Sequence, residues 1–556
     1  MTKRLSLILG LLLFSSSAYG VGGACPAGTT YLNAVTNTLT TLASFGVTSC
    51  FYASTSGSDA NDGLSEASGH PWLHIPGMVG CSSVCASTTP AAGEGFILRG
   101  GDHWTGASLG VVWTWAGNSS HLIWLGVDST WFTGSAWTRP IWDCGGTACS
   151  GTGNHVNYWF PAVSYVTLDN IEFTGLQTNG TGGNPSYVAT QLDHDVVQNC
   201  YFHGWSISSG ATQDFGIIAS FNKNSFSPFT SLGSGLFYSV IDGSDTAKNS
   251  MEAVGGNPTY IVGNWMQDVT NELNSIGTSD VHDNWFGPVL TSFQAGAHQN
   301  AAALGGADNG QTNQFFYNNV ITGSTCSVCG GVVKLWLDTY VAPVTNIGFA
   351  FNNVIFNNTN GNLINQGDGR AGATYWTWNF FNNTVECGTD ASTGPCYSDA
   401  GAVAPSQATF HSENNFWISS TGTAVSCSVY TCTTQTDLLR SVAGAASAGY
   451  SSGTAFAFQP TIGSGPTVHA GTNAQTLCGT IAALNSAAGS ACQHDTGYAC
   501  HYNSANHSVS CPARTELARA SSGAWDISAY NYSASTPAAP TQLQVIQLSS
   551  LWGGTP

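Results

Sequence analysis

One phrase keeps returning in this chain: an Asn, often doubled or preceded by Asp, followed by an aromatic or β-branched run. It reads VTLDNIEFTG at 166–175, VVQNCYFHG at 196–204 and NKNSFS from Asn222. It returns as IVGNWMQD from Ile261, VHDNWFGP from Val281, FFYNNVITG from Phe315 and FAFNNVIFN from Phe349. WNFFNNTVEC from Trp378 and HSENNFWIS from His411 close the series. Aligned on Asn170, Asn199, Asn224, Asn264, Asn284, Asn319, Asn353, Asn383 and Asn415, the steps run from 20 to 40 residues. The longest step leaves room for a degenerate copy at YSVIDG, Tyr238–Gly243. Repetition at such a period means stacked units rather than one globular core.

Residue type decides what the unit is. The copies are rich in Val, Ile, Phe, Trp, Thr and Asn and poor in Leu, Glu, Lys and Arg, which favours short strands. The Asn pair marks a bend, because Asn tolerates the left-handed backbone of a tight corner. Stacked Asn side chains can also hydrogen-bond from one unit to the next. A second phrase precedes most copies: GIIAS from Gly216, MEAVGG from Met251, LNSIG from Leu273, NAAALGG from Asn300, GVVKLWLD from Gly331 and GNLINQGDG from Gly361. Each unit is then strand, bend, strand and a loop of variable length. This is one coil of a parallel β-helix. Propeller blades need four strands in about 40–45 residues, more than these units supply.

Composition agrees and excludes some partners. At 556 residues the chain is too long for one compact core, a limit that a solenoid avoids. Acids outnumber Lys and Arg 30 to 11, giving a formal charge of −19. Nucleic acid is therefore excluded as an expected partner, since backbone contacts need clustered cations. The first 20 residues, with Lys3 and Arg4 before an apolar run from Leu5 to Phe14, read as a cleaved secretory signal. That run is too short to span a membrane, so the protein is expected to be secreted or held at the cell surface.

The 17 cysteines fit export. Their spacing suggests pairs Cys25/Cys50, Cys81/Cys85, Cys144/Cys149, Cys326/Cys329, Cys387/Cys396, Cys427/Cys432, Cys478/Cys492 and Cys500/Cys511. Cys200, inside a repeat strand, is left as a buried thiol.

Three stretches together resemble secreted bacterial right-handed parallel β-helix proteins of the pectate-lyase-like superfamily. FYASTSGSDANDGLSEASGHPW from Phe51 and GEGFILRGGDHW from Gly93 look like that family's opening, through Gly57, Asp59, Gly63, Pro71, Arg99, Gly100 and Gly101. The Asn-rich coils form the middle. GSGPTVHAGTN from Gly463 and SSGAWDISAYNY from Ser521 resemble its closing phrases, with departures at His469, Ser528 and Asn531. The resemblance implies a right-handed helix and an extracellular polysaccharide as partner. The fold also carries binding proteins without chemistry.

The domain reading is a signal at 1–20, an N-terminal cap and first coils at 21–160, coils at 161–420, and a disulfide-rich closing region at 421–556. In the resembling lyases, uronates are cleaved by β-elimination with a Lys or Arg base. Only Lys223, Lys248, Lys334 and Arg370 fall within the central coils. Lys334 sits mid-strand in GGVVKLWLD, so alternation points it outward, with Trp336 on the same face. Lys334 and Arg370 are the candidate catalytic residues. Trp336, His298, Asn300 and Asn365 are the candidate substrate contacts. Asp242, Asp245 and Glu252 are candidate ligands for Ca²⁺. Asp59, Asn61 and Asp62 read as an Asx turn of the cap, because their spacing does not complete a calcium loop. Two other readings compete with a lyase: a glycan-binding or structural solenoid, and a hydrolase using Asp242/Asp245 with Asp280/Asp283.

Overall fold

The computed structural model describes residues 22–147, 157–161, 163–178, 186–190, 193–207, 216–221, 231–245, 251–275, 280–289, 300–305, 313–323, 332–336, 345–357, 363–367, 375–387, 395–400, 408–419, 422–451, 457–511 and 516–534. Among these, strands stack into three long sheets of 14, 13 and 11 strands, here called sheets A, B and C. From Glu94–Gly100 onward the chain visits them in that order, coil after coil. In one coil, Asn313–Tyr317 lies in sheet A, Val320–Thr322 in sheet B and Val333–Trp336 in sheet C. The next coil pairs in parallel on each: Phe316 with Ala350, Ile321 with Ile355, Leu335 with Gln366. The architecture is a right-handed parallel β-helix. Its interior is an apolar column that includes Leu236, Ile261, Val281, Phe316, Ala350, Phe380 and Phe410.

The corner from sheet A to sheet B is the Asn pair, and its two members do different work. Asn318, Asn352, Asn382 and Asn414 have φ of 53°, 56°, 52° and 56°, the left-handed conformation that turns the chain. Their successors turn inward and hydrogen-bond along the axis. Nδ2 of Asn264 donates to Oδ1 of Asn284 at 3.0 Å, and Asn284 to Asn319 at 3.0 Å. Asn319 donates to Asn353, Asn353 to Asn383 and Asn383 to Asn415 at 3.1, 2.9 and 3.0 Å. The same amides also donate to main-chain carbonyls one coil earlier.

This register corrects the alignment made on sequence. Asn170 and Asn199 have φ of 64° and 56°, so they turn the chain, and Ile171 and Cys200 stand where the inner Asn would be. NKNSFS, at 222–227, lies outside the described residues. The corner of that coil is Tyr238, at φ 46°, followed by Ser239. The Cys200 amide donates to Ser239 Oγ at 3.1 Å, and the Ser239 amide to Asn264 Oδ1 at 2.9 Å. Position in the pairing register, not the Asn itself, defines the row.

The sheets continue past residue 420, through Val425–Ser426, Thr431–Gln435 and Leu438–Arg440. The remaining tail then folds back along the Asn corner. Asn414 donates to Thr472 O, Asn382 to Asp526 O, and Asn352 to Ala491 O and His494 O. Arg139, near the other end, donates to Asn506 O at 2.7 Å. The closing region thus clasps the flank of the helix as well as its end.

Six of the expected disulfides are formed among the described residues: Cys25–Cys50, Cys81–Cys85, Cys387–Cys396, Cys427–Cys432, Cys478–Cys492 and Cys500–Cys511. Such staples suit an oxidising compartment. Cys149, Cys326 and Cys329 lie outside the described residues, as does the signal segment. Cys200 is a free, buried thiol, and burial pushes its pKa up to about 12. No helix among the described residues is long and apolar enough to cross a membrane. Asp59 accepts bonds from the His74 and Ser82 amides and contacts the His74 ring, holding the cap turn.

Candidate functional site

Much of two of the three outer faces is covered by the chain's own ends. On sheet A, Ala34 of the N-terminal segment packs on Phe237 and Val262. Further along, Cys478, Ile481 and Ala488 of the tail pack on Phe315, Phe349 and Phe381. On sheet B, the tail's Tyr450, Tyr498, Val509 and Tyr530 join Val240, Val320, Val354 and Phe416 in one apolar cluster.

Sheet C is built differently. Only Asn318 and Asn319 separate the sheet A strand from the sheet B strand in their coil. By contrast, 287–301 precede the sheet C strand Ala302–Gly305 and 306–312 follow it. The variable-length segments therefore flank sheet C on both edges, where repeat proteins place their binding loops.

The strands of sheet C carry the sequence-derived candidates in register. One row runs Gly255, Asn274, Ala303, Lys334, Asn365, Ser398. Neighbouring Leu273, Ala302, Val333 and Ile364 belong to the interior. Asn365 is buried and donates to Ser398 Oγ at 3.3 Å. The side chains of Lys334 and Trp336 lie outside the described residues, as do His298 and Arg370 altogether.

A second row runs Glu252, Asn271, Asn300. Between the two rows the chain turns inward, with both Ala253 and Val254 in the core. The Glu252 carboxyl, 8% exposed, faces two amides. Asn271 Nδ2 lies 3.5 Å from Oε1, and Asn274 Nδ2 lies 3.4 Å from each oxygen. Burial pushes the Glu252 pKa up to about 7, against the pull of the Asn274 and Asn271 hydrogen bonds. A carboxyl poised there can give or accept a proton near neutral pH. Asn271 and Asn274 were not singled out from sequence. They are recognisable only once the register sets NELNS beside MEAVGG.

The three candidate calcium ligands do not converge. Asp242, on sheet B, holds the Ser244 amide at 2.9 Å and Tyr502 Oη at 3.3 Å. Asp245 binds His203 Nδ1 at 2.6 Å, and Glu172 Oε1 lies 3.1 Å from Nε2 of the same ring. Burial alone would lower the His203 pKa, but Asp245 and Glu172 outweigh it and raise it to about 9. The imidazolium stacks on Tyr201, whose other side meets His507 of the tail, each at 4.2 Å. Glu252 stands apart on sheet C. Among the described residues no group of three or more His, Cys, Asp or Glu is placed to hold a metal.

The carboxylates proposed for hydrolysis are likewise dispersed. Asp280, on sheet A, accepts from Asn485 Nδ2 of the tail at 2.8 Å, and Asp283 contacts His282 Nδ1 at 2.7 Å. On sheet C, Asp399 is saturated by the amides of Ser428, Val429 and Tyr430.

No family model matches the chain, and no curated protein matches its sequence. Solved structures do match at low identity. The native GH136 lacto-N-biosidase from Eubacterium ramulus is 12% identical, with a TM-score of 0.36, covering 71% of this chain and 68% of its own. Pectate lyase Pel9A is 13% identical at a TM-score of 0.34, covering 76% and 92%. A rhamnogalacturonan lyase is 12% identical at 0.36, covering 70% and 87%.

Proposed function

We propose that this protein acts on an extracellular polysaccharide laid along sheet C, as a lyase cleaving a uronate glycan by β-elimination. The observation that supports it is the row Asn274, Ala303, Lys334, Asn365, Ser398 on the sheet whose strands are joined to the others by segments of variable length. Lys334 is the proposed base, taking the proton beside the uronate carboxylate while the neighbouring C–O bond breaks and leaves a double bond. Arg370 offsets the carboxylate charge. Trp336 stacks on a sugar ring, and His298, Asn300 and Asn365 bind hydroxyls. A lysine suits this step when its pKa is depressed by burial or a nearby cation.

The amide-rich lining also supports a second reading, glycan binding without turnover. Amides pair with neutral hydroxyls equally well, and a net charge of −19 opposes an acidic chain. A panel of pectate, alginate, chondroitin and neutral glycans separates the readings. Ultraviolet absorbance from unsaturated products, lost in Lys334→Ala, supports the lyase. Reducing ends without absorbance mean hydrolysis. Binding without either product means a glycan-binding module.

A further inference from the structure

We infer that Glu252, with Asn271 and Asn274, forms a sugar-binding subsite set apart from the Lys334 position. The inference rests on sheet C being the glycan face. Lys334 follows Asn274 by two strands in the same row, and strands are about 4.8 Å apart, so the two positions are about 10 Å apart. The Glu252 carboxyl, which faces the Asn274 amide, is too far along the sheet to share a reacting bond with Lys334. It is well placed for a neighbouring unit of the same glycan.

The geometry of the carboxyl supports a ligand role. Its contacts to Asn271 and Asn274 are all 3.4–3.5 Å, against about 2.7–2.9 Å for a charge-assisted hydrogen bond. The carboxyl is almost buried yet loosely held, and a sugar hydroxyl at normal distance would bind it better than either amide does. Asn271 Oδ1 is itself buried without a hydrogen-bond partner, an acceptor that such a hydroxyl would satisfy. A cis-diol or a hydroxyl pair on one ring matches this set: one donor to Glu252, one to Asn271, with the Asn274 amide returning a bond.

The test is the length dependence of Glu252→Gln, with a thermal melt confirming the fold. Oligosaccharides of increasing length from the responsive glycan are used as substrates. The subsite predicts about a tenfold rise in KM for the longer ones, little change for the shortest, and kcat unaffected. An equal effect at every length, or none, overturns it. Calcium chloride titrated without glycan gives a further check: calcium binding that is lost in Glu252→Gln would make this a cation site and overturn the sugar subsite. If the wild type turns over nothing, glycan affinity is measured instead. Weaker binding of long chains by Glu252→Gln then sustains the subsite although the lyase reading has failed.

Discussion

Asn319 Nδ2 donates to Asn353 Oδ1 at 3.1 Å, and the Asn319 main-chain amide donates to the same oxygen at 3.0 Å. One buried side chain thus satisfies two donors of the preceding coil, while its own amide serves Phe316 O and Asn383 Oδ1.

Asn353→Ala removes all four bonds inside the helix. Each orphaned buried group costs about 1–3 kcal/mol, so the variant should lose several kcal/mol and unfold at much lower denaturant. Asn353→Asp retains the acceptor but sets an oxygen against Phe316 O and Asn383 Oδ1. It should therefore lose less than Asn353→Ala only at low pH, where the carboxyl is protonated, and at least as much at neutral pH. Chemical denaturation of the two variants, compared with wild type, checks the order.

The outer Asn of the same pair has a different effect. Arg519 Nη2 donates to Asn352 Oδ1 at 2.9 Å, and Asn352 Nδ2 holds two tail carbonyls. Asn352→Gly keeps the left-handed corner but releases these bonds. It should leave the coils intact and speed proteolysis within 470–533. Equal cleavage rates in variant and wild type would show that the tail is held elsewhere.

Glu272 is a fully buried carboxyl whose oxygens make no close hydrogen bond, with only a weak pull from the Gly287 amide. Burial, with Asp268 adding to it, pushes its pKa well above the usual 4.5. The folded state therefore holds this proton where the unfolded chain gives it up, so stability falls as pH rises above about 4.5. Glu272→Leu should remove that slope and stabilise the protein at pH 8 by roughly 1–4 kcal/mol. Thermal melts from pH 4 to 8 read both effects.

His203 behaves oppositely. Its pKa is raised to about 9, so the stability from its contacts with Asp245 and Glu172 is complete below about 6.5 and is lost as pH rises through about 9. Asp245→Asn should bring the imidazole titration, followed by NMR, back toward 6.5.

The stacked coils were legible because strand composition and the Asn corner repeat locally. The row assignment was not. Asn170 and Asn319 look alike in sequence, yet one turns the chain and the other lies inside it, a difference set by pairing between coils. Lys334 and Asn365 could be matched because both sit in phrases of the same pattern. Asp242, Asp245 and Glu252 were grouped by closeness along the chain, but a corner between sheets intervenes. The tail's path was hidden for the same reason: its contacts with Asn352, Asn382 and Asn414 span more than a hundred residues in two of the three cases.

The most direct test of the account is amide hydrogen exchange with and without a glycan that the protein binds. The account predicts protection concentrated on sheet C, at 251–256, 271–275, 302–305, 333–336 and 364–367, with sheets A and B and the tail unchanged. Protection on the tail or on sheets A and B, with none on sheet C, would contradict it.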